Sequence, residues 1–235
     1  MNFFSRLQGV FFNPKDTLKA ISEKPVWIDT MIILLVIIMI FSFIITPYAQ
    51  KDQLQVLKTN VELQERLGEE RYQQQLEFLE NPPSWYFLVT SIIGPFFVTL
   101  IGFFLPPLIL LAFGRMFSTE GNYKQTISVY LHASIVHNIF GNAVRLVLIL
   151  TRKSVMQTTT SLALFFPRME ITSTSFRVLS QFDFFQIWFF GILAFGLSSV
   201  FKIDIKKALF LSYGFWFLKS LLYIGLGALG GQFGG

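Results

Sequence analysis

Met31-Ile32-Ile33-Leu34-Leu35-Val36-Ile37-Ile38-Met39-Ile40-Phe41 is an unbroken apolar run, and its flanks out to Val26 and Tyr48 add no charge beyond Asp29. Residues 26–48 therefore supply the roughly 20 apolar residues that a helix needs to cross the hydrocarbon core of a bilayer. The run lies too deep in the chain, and is too long and too bulky at its exit, for a cleaved leader, so it is expected to stay in the mature protein.

Working outward, the composition agrees with this reading. Of 235 residues, 53% are hydrophobic and 14% charged, with a mean hydropathy of +0.56. A soluble domain cannot keep a polar surface on such a composition, so lipid must be the solvent for much of the chain. The 29 phenylalanines suit lipid-facing helices and interfacial belts. Cysteine is absent, which excludes disulfides, thiolate metal sites and cysteine nucleophiles. The net charge of +5 is scattered in small groups, and nucleic acid is not expected as a partner.

Before the first span, Phe3, Phe4, Leu7, Val10 and Phe11 recur at helical spacing, the pattern of a short interfacial helix. Asn13, Pro14 and Asp16 form a start signal for a second helix ending near Pro25. After the first span, residues 49–83 are the most polar stretch, with Leu54, Leu57, Val61, Tyr72, Leu76 and Leu79 at three-to-four-residue spacing. They predict an amphipathic helix outside the lipid, which would reach roughly 50 Å if straight. Asn81-Pro82-Pro83 ends it, and Trp85 and Tyr86 mark an interface.

Further spans are predicted over about 85–113, with kinks at Pro95, Pro106 and Pro107, and over about 125–150, 183–201 and 208–229. Between the third and fourth, a run from Thr158 to Pro167 has the composition to dip into the interface. With the N-terminus inside, the cytoplasmic segments carry nine Lys/Arg in about 41 residues and the opposite side eight in about 67. The density favours N-in and C-out, which places 49–83 outside.

Ionisable groups inside spans are functional candidates because each is costly when unpaired. Lys219 sits halfway along the fifth span, and His137 and Asn138 halfway along the third. Ser134, Asn138, Gly141, Asn142 and Arg145 share a helix face by spacing. His137, Asn138, Asn142, Arg145 and Lys219 thus mark either a polar pocket between the third and fifth spans or interhelical hydrogen bonding that fixes the bundle. Arg145 can snorkel outward, with Asp183 as a candidate partner. His132 and His137 lie on different faces with no carboxylate or cysteine near them in sequence, so a metal site would lack ligands. The glycines from Gly225 onward have no preceding strand to make a nucleotide loop, and Gly227 and Gly231 read as close-approach residues. There is no serine elbow, phosphate loop or pair of intramembrane acids, so neither enzyme activity nor a cofactor is expected.

Phe4-x-x-Leu7 is followed by Phe12-Asn13-Pro14-Lys15-Asp16, and Gly121-Asn122-Tyr123-Lys124-Gln125-Thr126 stands before the third span. These motifs resemble the bacterial branch of the YIP-domain family, the Ypt/Rab-interacting membrane proteins. Thr160-Ser161-Leu162-Ala163, Phe182-Asp183-x-Phe185-x-x-Trp188 with Gly191 and Gly196, and Lys206-Lys207-Ala208 are similar to the family's second half. The likeness covers nearly the whole chain except 49–83. It implies five spans with the N-terminus cytoplasmic and the C-terminus outside, in the bacterial cytoplasmic membrane. Eukaryotic relatives are adaptors for small GTPases through a longer N-terminal region, and the roughly 25 residues here put GTPase binding in doubt. Some bacterial relatives accompany ABC exporters and their membrane-fusion subunits.

The expected fold is an all-α integral membrane protein: a single domain forming a five-helix bundle, with an N-terminal amphipathic cytoplasmic helix pair and an extracytoplasmic helix. The leading functional expectation is an accessory or scaffold subunit of a membrane assembly, with Leu54, Leu57, Val61, Tyr72, Leu76 and Leu79 facing a partner such as an ABC transporter or membrane-fusion protein. A small transporter or channel using the polar face is the alternative, and a membrane-shaping or trafficking adaptor is a third.

Overall fold

The computed structural model describes residues 1–156, 160–166, 168–169 and 173–233, apart from the side chains of Glu62 and 228–233. Among the described residues the regular structure is helical, with no strand beyond one isolated bridge between Ser161 and Asp183. Thr158, Thr159 and Pro167, part of the run expected to dip into the interface, lie outside the described residues, as do the surroundings of Gly231. Within that run, Leu162–Phe165 form a 3₁₀ turn.

Two short helices open the chain, α1 (Phe3–Phe12) and α2 (Pro14–Glu23). Asn2 Oδ1 accepts from the Ser5 N–H at 2.8 Å and starts α1, while Pro14 at the first turn starts α2. Asn13 stands at the cap position but makes no cap bond to the backbone; its Nδ2 donates to Asp16 Oδ2 at 2.8 Å instead.

Five helical stretches are long and apolar enough to cross a membrane, and the chain is a multi-pass integral membrane protein. They are α3 (Ile28–Thr59); Ser84–Gly114, made of α6 (Ser84–Leu88), a π turn and α7 (Gly94–Gly114); Tyr123–Arg152, made of α8 (Tyr123–Ile135), a π turn and α9 (Asn142–Arg152); α11 (Phe184–Phe201); and the part of α12 (Ile205–Phe233) up to Gly227. Between the third and fourth lies α10 (Thr174–Gln181).

The centre of the molecule is α11. Half of its most apolar window is buried, against 11% for α3, which leaves most of α3 facing outward. Phe190, Leu193, Ala194, Leu197 and Phe201 of α11 pack with Val129, Ala133 and Val136 of the third span, Leu18 and Ile21 of α2, Val10 of α1, and Ala208 and Leu211 of α12. Helices in lipid gain little from hydrophobic burial against one another, so close packing must hold them. Two glycines permit it. A Cβ on Gly196 would stand 2.7 Å from Val129 Cβ, and one on Gly114 would stand 2.1 Å from the Phe201 ring.

Two departures from expectation concern backbone continuity. Pro106 and Pro107 lie inside α7 without breaking it. Upstream, the turn Val89–Ile93 is π-helical: the Gly94 N–H reaches back to Val89 O, and Pro95, which has no N–H, follows directly.

The polar segment 49–83 is helical but is not one straight rod. The first-span helix α3 continues to Thr59, and α4 (Val61–Leu67) and α5 (Glu69–Glu80) follow as separate pieces. Asn60 leaves helical geometry and caps α4 by accepting from the Leu63 N–H at 3.0 Å. Gly68 then adopts φ +73°, a left-handed value that glycine tolerates at no steric cost. Lys58 and Glu80 pair at 2.6 Å, which brings the end of α5 back to the end of α3. The 50 Å projection is thereby replaced by a folded helical excursion.

Candidate functional site

The third span carries most of the candidate residues, and its middle turn Val136–Gly141 is π-helical. A π turn inserts an extra residue into the helical phase, a device frequent at functional sites. Ser134, His137, Asn138 and Asn142 all line one cavity of about 780 Å³. Lys219 of α12, Gln186 of α11, Tyr130, and residues of the first two spans from Ile38 to Ile45 and Val89 to Phe103 complete its wall. All five spans therefore contribute, rather than the third and fifth alone. The exposed lining residues Val89 and Val98 keep the cavity open to the exterior of the molecule.

Lys219 Nζ donates to Gln186 Oε1 at 2.7 Å and lies 5.5 Å from the centre of the Phe190 ring, within cation–π range. Gln186 was not singled out in the sequence, although an amide one turn into an aromatic-rich span is a visible signal. His137 Nδ1 is buried and has no hydrogen-bond partner among the described residues. Gly141 does not reach the cavity: a Cβ there would meet Phe185 at 3.2 Å, so this residue serves helix approach.

Arg145 stands one turn beyond the cavity. Its Nη1 donates to Asn142 Oδ1 at 3.1 Å and its Nη2 pairs with Asp183 Oδ2 at 3.0 Å. Asp183 also caps α11 by accepting from the Gln186 N–H at 3.0 Å, and it accepts from Thr160 Oγ1. Burial pushes the Asp183 carboxyl up, but the Arg145 charge and the hydrogen bonds from Thr160, Arg145 and Gln186 outweigh burial and hold it below the ordinary carboxylate range. Polar contacts thus continue from Asn142 at the cavity to Asp183 at the start of α11.

His132 belongs to a different cluster. Its Nδ1 donates to Ser128 O at 2.8 Å, which leaves Nε2 to accept from Arg6 Nε at 2.9 Å, with Thr30 Oγ1 at 3.0 Å. Arg6 also pairs with Asp29. The cluster ties α1 to the starts of the first and third spans, and it is absent from the sequence reading because its members lie 23 to 126 residues apart. Asp52 is a second unforeseen anchor, accepting from Ser154 Oγ at 2.9 Å and the Val155 N–H at 2.6 Å.

The six residues expected to face a partner meet different fates. Leu57 is buried, while Leu54, Tyr72, Leu76 and Leu79 are half-buried. Val61 is 63% exposed, and Phe78, not among the six, stacks on Tyr86 with ring centres 4.9 Å apart. Five of the six thus have part or all of their surface covered within the chain. Among the described residues no three His, Cys, Asp or Glu side chains gather as metal ligands would.

The quoted motifs take up caps and packing points. Asn122 and Gln125 form a reciprocal capping box at 3.0 and 3.1 Å, and Gln125 Nε2 donates to Ser22 O of α2 at 2.9 Å. Asp183 caps α11, Gly196 admits Val129, and Ala208 is fully buried. The family model described as the Yip1 domain matches residues 9–227. No curated protein and no solved structure matches the chain. A match running from the end of α1 through all five membrane-crossing stretches covers nearly everything described above, and on that ground the chain belongs to the Yip1 domain family.

Proposed function

We propose that this chain is a non-enzymatic membrane carrier or binding protein whose working site is the cavity between its spans. The observation that carries this reading is the cavity of about 780 Å³ at which Lys219 and His137, with its unpartnered Nδ1, meet a largely apolar wall. The volume falls within the roughly 300–1,000 Å³ typical of small-molecule sites, and convergent polar groups on an apolar wall are their usual chemistry. Charged groups held inside a span mark substrate pathways more often than fold requirements. Native mass spectrometry of protein purified in mild detergent tests the reading. A bound small molecule is expected on the wild type and should be lost in Gly102→Phe, since Gly102 lines the cavity and its missing side chain faces open space. An empty wild type, together with unaltered export and ion flux in Lys219→Leu, would remove the reason for the proposal.

The rest of the reading follows from the family and the charge pattern. The protein belongs to the family's bacterial branch, forms one domain over residues 1–235, and sits in the cytoplasmic membrane with its N-terminus inside and its C-terminus outside. The N-terminal pair α1–α2 is engaged with the third span and α11 through Val10, Leu18 and Ile21, which commits that face to the chain itself rather than to a GTPase. A second reading, an accessory subunit beside an ABC-type exporter, is favoured by the exposed Val61 on the excursion 49–83. Gentle purification from native membranes distinguishes it, because a lone monomer would count heavily against that role.

A further inference from the structure

The cavity's ionisable side chains among the described residues are Lys219, His137 and the Tyr130 phenol, and no carboxylate lines it. The nearest acid along the polar contacts, Asp183, is occupied by Arg145, Thr160 and the Gln186 N–H. Lys219 Nζ has three donors, and Gln186 Oε1 takes one of them. The Asn138 side chain, also on the wall, makes no hydrogen bond among the described residues. Most of the remaining wall is Ile, Val, Phe, Gly and Pro, including Ile38, Phe41, Val98 and Phe103. Lys219 is exposed at the open side of the cavity; at that place in a membrane-crossing helix a cation with spare donors is poorly compensated, and a bound anion would complete it.

Resting on the carrier reading above, we infer that the occupant is a single-chain amphiphile with one anionic oxygen group, a long-chain carboxylate. Its carboxylate accepts from Lys219 Nζ and the Asn138 amide, and its chain lies along Ile38, Phe41, Val98 and Phe103. A monoanion matches the single lysine ammonium on the wall. An ammonium head would face Lys219 with like charge, and an alcohol would leave that charge unpaired.

Binding of palmitate, hexadecanol and hexadecylamine to the protein in nanodiscs tests the assignment, with wild type, Lys219→Met, Lys219→Arg and Gly102→Phe compared after each has been checked for monodispersity and helix content. Palmitate should bind the wild type about tenfold more tightly than either other chain, a difference equal to one modest charge-assisted contact. Lys219→Met should erase that preference while still binding hexadecanol, Lys219→Arg should keep it, and Gly102→Phe should weaken all three. Equal binding of palmitate and hexadecanol to the wild type, with both lost in Gly102→Phe, would overturn the anion assignment and leave the cavity reading standing. Binding that Gly102→Phe does not change would overturn the cavity reading itself.

Discussion

Asp183 is 4% exposed and yet ionised, held by Arg145, Thr160 and the first turn of α11. Removing one member of such a pair leaves the other uncompensated in a medium that solvates it poorly. Asp183→Ala should lower stability by about 3 kcal/mol, the low end for a buried pair because the Arg145 side chain keeps 21% exposure. Adding Arg145→Leu should restore part of the loss, read as the thermal midpoint in detergent. The pH dependence has a definite sign. The native carboxyl lies below its ordinary value of 3.8, so the stabilisation is full above that value and is lost as pH falls through the lower native one. The gap in Tm between wild type and Asp183→Asn should accordingly narrow on acidification and stay flat from neutral pH to the carboxylate range. A gap that widened in acid would contradict the pairing.

At the scale of elements, the excursion after the first span depends on two short breaks. Asn60 and Gly68 divide it, and the Lys58–Glu80 pair with Phe78 stacked on Tyr86 returns α5 to the membrane boundary. The exposed ion pair contributes little, since surface pairs are worth about 0–1 kcal/mol. The left-handed turn at Gly68 is the more sensitive point. Gly68→Ala meets no steric contact within 4 Å, so its cost is the backbone term alone, roughly 1–3 kcal/mol for a conformation that is essentially confined to glycine. Amide exchange should speed up across 61–80 while α11 remains protected. Uniform loss of protection would mean that the excursion is integral to the bundle.

At the scale of the whole molecule, the prediction concerns sidedness. The proposed orientation, N-terminus inside, rests on nine Lys/Arg in the shorter set of loops against eight in the longer one. An alkaline phosphatase fusion at Gln64 should be active and one at Lys206 inactive. The reverse result would invert the protein. The same arrangement would put Asp183 and Arg145 toward the outer side of the cavity and the Arg6–Asp29–His132 cluster toward the inner side. The polar contacts of the interior are thus divided between two ends of the bundle, with Lys219 and Asn138 between them.

The number of spans was legible because apolar length is a local property: residues 26–48, built around the run Met31–Phe41, meet the bilayer's thickness whatever surrounds them. Caps were legible only in part: Asn13 makes no cap bond, while Asn122 and Gln125, quoted only within a motif, form a capping box. Asp183 could be named as a partner for Arg145. Most other partners could not. Arg6 meets His132 across 126 residues, Asp52 meets Ser154 across 102, and Lys219 meets Gln186 across 33, distances that only packing can close. Spacing assigned Gly141 to the polar face, but the π turn at Val136–Gly141 changed the helical phase and set it against Phe185. Likewise the periodicity of 49–83 was real, but whether its stripe met a partner or the chain itself depended on the breaks at Asn60 and Gly68. By itself, then, the sequence determined the spans and which polar residues they carry. Tertiary structure alone decided which of those residues share a cavity, because contacts between helices depend on phase and packing that no local pattern records.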